Sequence, residues 1–94
     1  MTKTEEKLSN AITVQIPGTH CKARKSYDGD RFLTVFFGPT DDADSIDLKL
    51  ERTKIVDVVF DSYDNYGYSI TVDSQQRVHQ IAQLMQIIGP YMKN

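Results

Sequence analysis

The chain has 94 residues, a mass of 10.7 kDa and a formal net charge of −2, which fits one small domain with its own core. Its hydrophobic fraction of 39% and charged fraction of 26% are typical of globular proteins and argue against a disordered or fibrous chain. No apolar run reaches the ~18 residues that span a bilayer and the first ten residues carry no signal-peptide core, so we expect a cytoplasmic protein with no membrane partner.

The N-terminal third predicts a lead-in followed by strands. Residues 1–10 are polar and predict a flexible or short helical lead-in, and residues 11–94 predict a single α+β domain. Apolar and polar residues alternate over 11–16, which predicts a strand that buries Ile12, Val14 and Ile16. Residues 20–27 predict a weaker strand, and the following Asp28 and Gly29 are typical of a tight hairpin turn.

The rest of the chain predicts more strands and then one helix. Residues 31–37, 45–51, 54–61 and 68–72 alternate as strands separated by turn residues, which favours an antiparallel meander of five to six strands, either a curled sheet or a half-barrel. Residues 74–88 have the period of an amphipathic helix packed on one face of that sheet, with Asp73 as its N-cap and Gly89 and Pro90 ending it. The residues predicted to form the core are Ile12, Val14, Ile16, Leu33, Val35, Phe37, Ile46, Leu48, Leu50, Val56, Val58, Phe60, Ile70, Val72, Val78, Ile81, Ala82, Met85 and Ile88.

The sequence offers no catalytic or metal-binding pattern. The only cysteine, Cys21, follows His20 directly, and adjacent side chains on a strand point to opposite faces, which works against a Cys–His pair. Asp41, Asp42 and Asp44 lack the glycine and glutamate of a helix-loop-helix calcium site. The five glycines are scattered and form no phosphate-binding loop. We therefore expect a protein that is not an enzyme and has no cofactor, catalytic residue or metal site.

Charge is unevenly distributed along the chain. Residues 41–64 contain eight acidic and three basic residues, a net −5, whereas residues 22–31 are net +2. An acidic surface suits a basic protein partner and repels phosphate. The same acids on the outer face of a sheet also serve solubility and protect its edges. Tyrosines are enriched at interfaces, so the acidic, tyrosine-rich region predicts a partner-binding surface. Its residues are Asp57, Asp61, Tyr63, Asp64, Tyr66 and Tyr68.

A second surface surrounds the 28–29 hairpin. Basic and aromatic residues interleaved on a sheet are what single-strand nucleic-acid binders use for phosphate contact and stacking, although a solvated hairpin paired with the acidic segment explains the same pattern. Phe32 and Phe36 lie opposite the predicted core face, so either a second copy of the chain or the N-terminal segment must cover them. The residues of this nucleic-acid or dimer surface are Lys22, Arg24, Tyr27, Arg31, Phe32, Phe36 and, from the helix, Ile87.

These patterns together favour a small non-catalytic protein-binding module, an adaptor or inhibitor that binds a protein partner through the acidic, tyrosine-rich surface. The alternative is a dimeric single-stranded nucleic-acid-binding protein that uses the basic hairpin of residues 22–36. The two differ in the expected response to salt, because phosphate contacts weaken steeply as salt rises.

Overall fold

The computed structural model describes residues 1–62, 68–69 and 74–94. It confirms an α+β fold with an antiparallel sheet and a C-terminal helix. Within the described residues the main sheet has four strands in the order β1-β2-β3-β4, so the expected meander of five to six strands is not confirmed. The elements are α1 (Lys3–Gln15), β1 (His20–Lys25), β2 (Arg31–Phe36), β3 (Ser45–Glu51), β4 (Lys54–Val59), β5 (Asp61–Ser62), β6 (Tyr68–Ser69) and α2 (Gln75–Ile88).

The N-terminal helix α1 replaces the first predicted strand. The helix begins with a capping box, in which Thr2 accepts from the Glu5 backbone and the Glu5 side chain accepts from the Thr2 backbone. Leu8, Ile12 and Ile16 are spaced by four residues and are fully or almost fully buried, with 0, 0 and 1% of each exposed. The expected strand over 11–16 is therefore wrong, and Val14, its predicted central core residue, is 79% exposed.

The two faces of the main sheet carry different kinds of residue. Its core side carries the apolar residues that pack against α1 and α2, including Leu33, Val35 and Leu48, each 0% exposed. Its other side, which we call the outer face, consists of His20, Lys22, Arg24, Phe32, Thr34, Phe36, Ser45, Asp47, Lys49, Asp57 and Val59. One of the two expectations was that the N-terminal segment covers Phe32 and Phe36. It is wrong, because α1 lies on the core side of the sheet.

A bulge between β3 and β4 changes which residues of β4 are buried. Lys49 pairs with Asp57, but the next core residue, Leu50, pairs with Ile55, so one extra residue lies on β4. Ile55 is consequently 0% exposed, whereas simple alternation from Val58 predicts Val56 in that place. The predicted core position of Phe60 is also wrong, since it is 38% exposed.

The C-terminal helix α2 buries a narrower stripe than its sequence suggests. Leu84 and Ile88 are buried, while the predicted core residues Val78 and Ala82 are exposed. Ser74 caps the helix by accepting from the backbone of Arg77 at 3.2 Å. The predicted cap Asp73 and the predicted core residues Ile70 and Val72 lie outside the described residues.

Beyond α2 the chain returns to the sheet. As Gly89 and Pro90 predict, α2 ends at Ile88, and a short 3-10 helix, Gly89–Tyr91, follows. Met92 then forms a parallel bridge with Ile55, and the Lys93 backbone N–H donates to the Ile55 carbonyl at 2.8 Å. The C-terminal segment therefore covers part of the outer edge of β4.

Candidate functional site

Residues from both predicted surfaces share the outer face of the sheet. The pairing register aligns Arg24 with Phe32, Phe32 with Lys49, and Lys49 with Asp57, which forms one row across all four strands. Arg24 and Phe32 come from the predicted basic surface, and Asp57 comes from the predicted acidic one. The Arg24 guanidinium lies 5.6 Å from the centre of the Phe32 ring. One residue of the predicted acidic surface, Asp57, therefore shares a face with residues of the predicted basic surface.

A neighbouring row holds a compact polar network. Arg24 donates through Nη2 to Asp47 Oδ2 at 2.6 Å and through Nε to Thr34 Oγ1 at 3.1 Å. The Thr34 hydroxyl in turn donates to Asp47 Oδ1 at 2.6 Å. Thr34 and Asp47 are only 4 and 9% exposed, so both depend on these bonds to replace water. The Arg24 side chain, which starts from the edge strand β1, is thereby held across β2 toward β3.

The loop between β2 and β3 adds a second network at the end of the sheet. His20 stacks on Phe36 with ring centroids 4.6 Å apart, while its Nδ1 and Nε2 lie 2.7 Å from the Gly38 carbonyl and 2.9 Å from Asp41 Oδ1. Lys22 donates to the other oxygen of Asp41. The hydrogen bond from Lys22, aided by the one from His20, holds the pKa of Asp41 below its ordinary value. Asp41 is therefore a carboxylate paired with the cationic edge of this face.

Three residues of the predicted nucleic-acid surface lie elsewhere. Tyr27 is fully exposed at the hairpin tip. Arg31 lies on the core side, where it binds Glu5 of α1 at 2.5 Å rather than standing beside Arg24. Ile87 is partly buried and packs against the core instead of forming an exposed patch. Of the predicted basic and aromatic residues, the structure therefore brings Lys22, Arg24, Phe32 and Phe36 together.

Half of the residues predicted for the acidic, tyrosine-rich surface lie outside the part of the chain that the structure describes. Tyr63, Asp64 and Tyr66 lie outside the described residues. Asp61 and Tyr68 belong to the short β5–β6 pair, in which the backbone of Asp61 pairs with Ser69 and that of Ser62 with Tyr68. Asp57 is the member whose surroundings are described, and it is exposed on the outer face.

Among the residues that the structure describes, the cysteine and the two histidines lie apart from one another. Cys21 lies on the core side, away from its neighbour His20, and burial raises the pKa of its thiol despite a hydrogen bond with Ser9. His79 is exposed on α2. No group of three potential metal ligands occurs among the residues that the structure describes. Asp41 and Asp44 instead bind Lys22 and Arg77, respectively.

Sequence reasoning missed four members of the outer-face networks. The sequence analysis did not select His20, Thr34, Asp41 and Asp47, because their hydrogen-bond partners lie 10 to 23 residues away in sequence. A usable signal for Thr34 is its place between Phe32 and Phe36 on the face opposite Leu33 and Val35. A polar residue at the centre of such a face predicts a local hydrogen-bond network.

Comparisons with protein-family models, with curated proteins and with solved structures gave no significant match for this chain. Among the described residues, the helices are all too short or too polar to cross a membrane.

Proposed function

We propose that this chain is a small non-catalytic protein-binding module, an adaptor or inhibitor, that binds its partner through the outer face of the sheet. The observation that carries the proposal is the internal pairing of this face: Arg24 is bonded by Asp47, and Lys22 by Asp41. A surface whose charges are already satisfied and held in place costs little to order on binding, which suits recognition of another protein.

The balance of charge supports a protein partner over a nucleic acid. Lys22 and Arg24 are paired with Asp41 and Asp47. Lys49 is paired with Asp30 at 3.4 Å and also lies opposite the exposed Asp57, so four carboxylates offset these three cations. A polynucleotide would have to displace these carboxylates before it could bind the cations, and their charge would repel its phosphates. A protein can instead match the alternating signs of the face.

The aromatic content of the face supports the same proposal. The rings of Phe32 and Phe36 are partly exposed, and each has a polar or charged partner, Arg24 and His20, stacked on it. Aromatic residues and arginine are the types enriched at the centres of protein interfaces. The tyrosine-rich segment follows Asp57 closely in sequence, and we include its predicted residues in the proposed contact surface: Asp61, Tyr63, Asp64, Tyr66 and Tyr68.

The test is an affinity capture from the native lysate with a charge reversal on the face and a matched one away from it. Asp57→Lys changes an exposed acid at the end of the row, and Glu6→Lys makes the same change on α1. We expect a stoichiometric protein that survives nuclease treatment, is retained by Glu6→Lys and is lost with Asp57→Lys, as read by quantitative mass spectrometry. Equal capture by both variants, or loss of all captured material on nuclease treatment, would contradict the proposal.

A second candidate function is single-stranded nucleic-acid binding by a dimer of this chain. The observation that favours it is the placement of Lys22, Arg24, Phe32 and Phe36 on one face, which combines cations with rings for stacking. It predicts that a labelled 20-nucleotide single strand binds with strong salt dependence and is released by Arg24→Ala. Fluorescence anisotropy at low and physiological salt separates this function from the first.

A further inference from the structure

The two edges of the main sheet differ in how they are covered. On β4, Ile55 is bridged by Met92 and accepts a hydrogen bond from the Lys93 backbone at 2.8 Å. On the opposite side, β1 pairs with β2, and no other strand of the described chain lies beside it. An uncovered edge presents backbone donors and acceptors that can accept an additional strand.

The hairpin geometry identifies which backbone groups of β1 point outward. The Ser26 N–H donates to the Asp30 carbonyl at 2.7 Å, so this pair is a hydrogen-bonded pair of the β1–β2 hairpin. Hydrogen-bonded pairs alternate along an antiparallel ladder, which directs the N–H and C=O groups of Arg24 and Lys22 toward β2. The N–H and C=O groups of Cys21, Ala23 and Lys25 therefore point away from the sheet.

An open cleft of about 410 Å³ lies beside this free edge. The residues that line it come from the start of the chain and from the sheet: Met1, Thr2, Glu5, Ala23, Arg24, Lys25 and Arg31. Ala23 and Lys25, two of the residues whose backbone groups point away from the sheet, thus also line the cleft. A side chain of an added strand would enter the cleft while its backbone pairs with β1, which is how strand addition combines affinity with selectivity.

The charge of β1 determines what kind of strand fits. Lys22, Arg24 and Lys25 are all exposed, and β1 contains no acidic residue. Lys22 and Arg24 are paired with Asp41 and Asp47, so the charge that an incoming strand meets is mainly that of Lys25. Lys25 forms no ion pair with any residue in the described part of the chain. Antiparallel pairing of β1 with the β1 strand of a second copy would place cations against cations and is disfavoured. An incoming strand with acidic side chains has the complementary charge.

We infer that the free edge of β1 is a docking site for an extended acidic peptide segment of another protein, which adds to the sheet as a fifth strand with one side chain in the cleft beside Ala23 and Lys25. This edge adjoins the contact surface proposed above at Arg24, which lines the cleft, but it binds through the outward backbone groups and the α1 side of β1. A charge reversal at Asp57, at the far side of the sheet, leaves it intact.

The test first selects peptides that bind the chain and then removes one backbone N–H from the outer edge of β1. A displayed library of random 12-residue peptides is selected on the immobilised chain, and the enriched peptides are measured by fluorescence anisotropy. Lys25→Pro deletes an outward donor without removing a bond to β2, and Lys25→Ala deletes the same charge but keeps the donor. We expect acidic peptides with alternating β-branched residues, an affinity about tenfold weaker for Lys25→Pro, and a loss of less than about threefold for Lys25→Ala.

A measurement on the unmodified chain keeps the test decisive if the proline variant unfolds. Bound peptide should protect the amides of Cys21, Ala23 and Lys25 from hydrogen exchange more than those of Lys22 and Arg24, which are already bonded within the sheet. Replacing the acidic residues of a selected peptide with lysine should abolish binding. Failure to enrich any peptide, enrichment of basic peptides, or protection confined to another surface would overturn the inference.

Discussion

Arg31 of β2 donates to Glu5 of α1 at 2.5 Å, and this pair joins the start of the helix to the sheet. The Glu5 side chain is only 5% exposed, and Arg31 also donates to the Thr2 hydroxyl at 3.2 Å. The carboxylate therefore serves both the helix cap and the helix–sheet contact. The Arg31 guanidinium supplies the charge that makes its burial tolerable.

Removing that charge should destabilise the protein. Arg31→Met leaves a buried carboxylate without its cation, and we expect the free energy of unfolding to fall by about 2 kcal/mol. This lies below the cost of breaking a fully buried pair, because 32% of the Arg31 side chain is exposed. Urea unfolding measures the change. Glu6→Gln, which alters an exposed acid in the same turn, should change stability by less than about 0.5 kcal/mol, and an equal effect of both variants would refute the role of the pair.

The same carboxylate gives stability a dependence on acidity. Burial raises the pKa of Glu5, but the hydrogen bonds from Thr2 and the bond and charge of Arg31 outweigh it, so its pKa lies below the ordinary value. A lowered native pKa stabilises the fold above the unfolded value of about 4.3 and loses that contribution as the pH falls through the native pKa. Thermal melts from pH 7 to pH 2.5 should show a shallower acidic decline for Glu5→Gln than for the unmodified chain. Parallel declines would contradict this assignment.

The hydroxyl of Thr34 should matter more than its methyl group. Thr34→Val leaves Asp47 and Arg24 each with a lost partner at a site that is 4% exposed, and we expect a loss of about 1–2 kcal/mol. Thr34→Ser keeps the hydroxyl and should retain most of that stability. Chemical denaturation of the two variants makes the comparison, and a valine variant as stable as the serine variant would show that the network contributes little.

Because of the bulge on β4, we expect the opposite order of stability effects at Ile55 and Val56 from the one that simple strand alternation predicts. Ile55 is 0% exposed and packs in the core, whereas Val56 is partly exposed. Ile55→Ala should therefore cost about 3 kcal/mol, and Val56→Ala only about 1 kcal/mol. Unfolding curves of both variants under identical conditions decide the order. If Val56→Ala proved the more costly change, the register of β4 against β3 would be incorrect.

Several elements were predictable because local chemistry is sufficient to define them. The β1–β2 hairpin follows from Asp28 and Gly29, where Gly29 adopts a φ of +89° that few other residues tolerate. The end of α2 follows from Gly89 and Pro90. Alternation in β2 and β3 correctly separated Leu33, Val35 and Leu48 from their outward neighbours. In each case the signal lies within a few residues of the feature.

The N-terminal helix shows where local patterns fail. Ile12 and Ile16 satisfy the two-residue period of a strand through Val14, and they also satisfy the four-residue period of a helix through Leu8. The capping box of Thr2 and Glu5 favours the helix, but the buried partner of Glu5 is Arg31, 26 residues away. The contact that stabilises the helix on the sheet therefore could not be found in the segment itself.

The sequence by itself determined the α+β class, the hairpin turn, the buried sides of β2 and β3 and the end of α2, because turn geometry and side-chain period act over short distances. Only the tertiary structure decided which strands are neighbours. The pairing register brought Arg24, Asp47 and Asp57 onto one face and shifted Ile55 into the core through the bulge. Among the described residues, it also left the outer edge of β1 without a neighbouring strand, while the C-terminal segment covers part of β4. These outcomes depend on pairing between distant segments, which is settled by the packing of the whole core and the satisfaction of its buried polar groups.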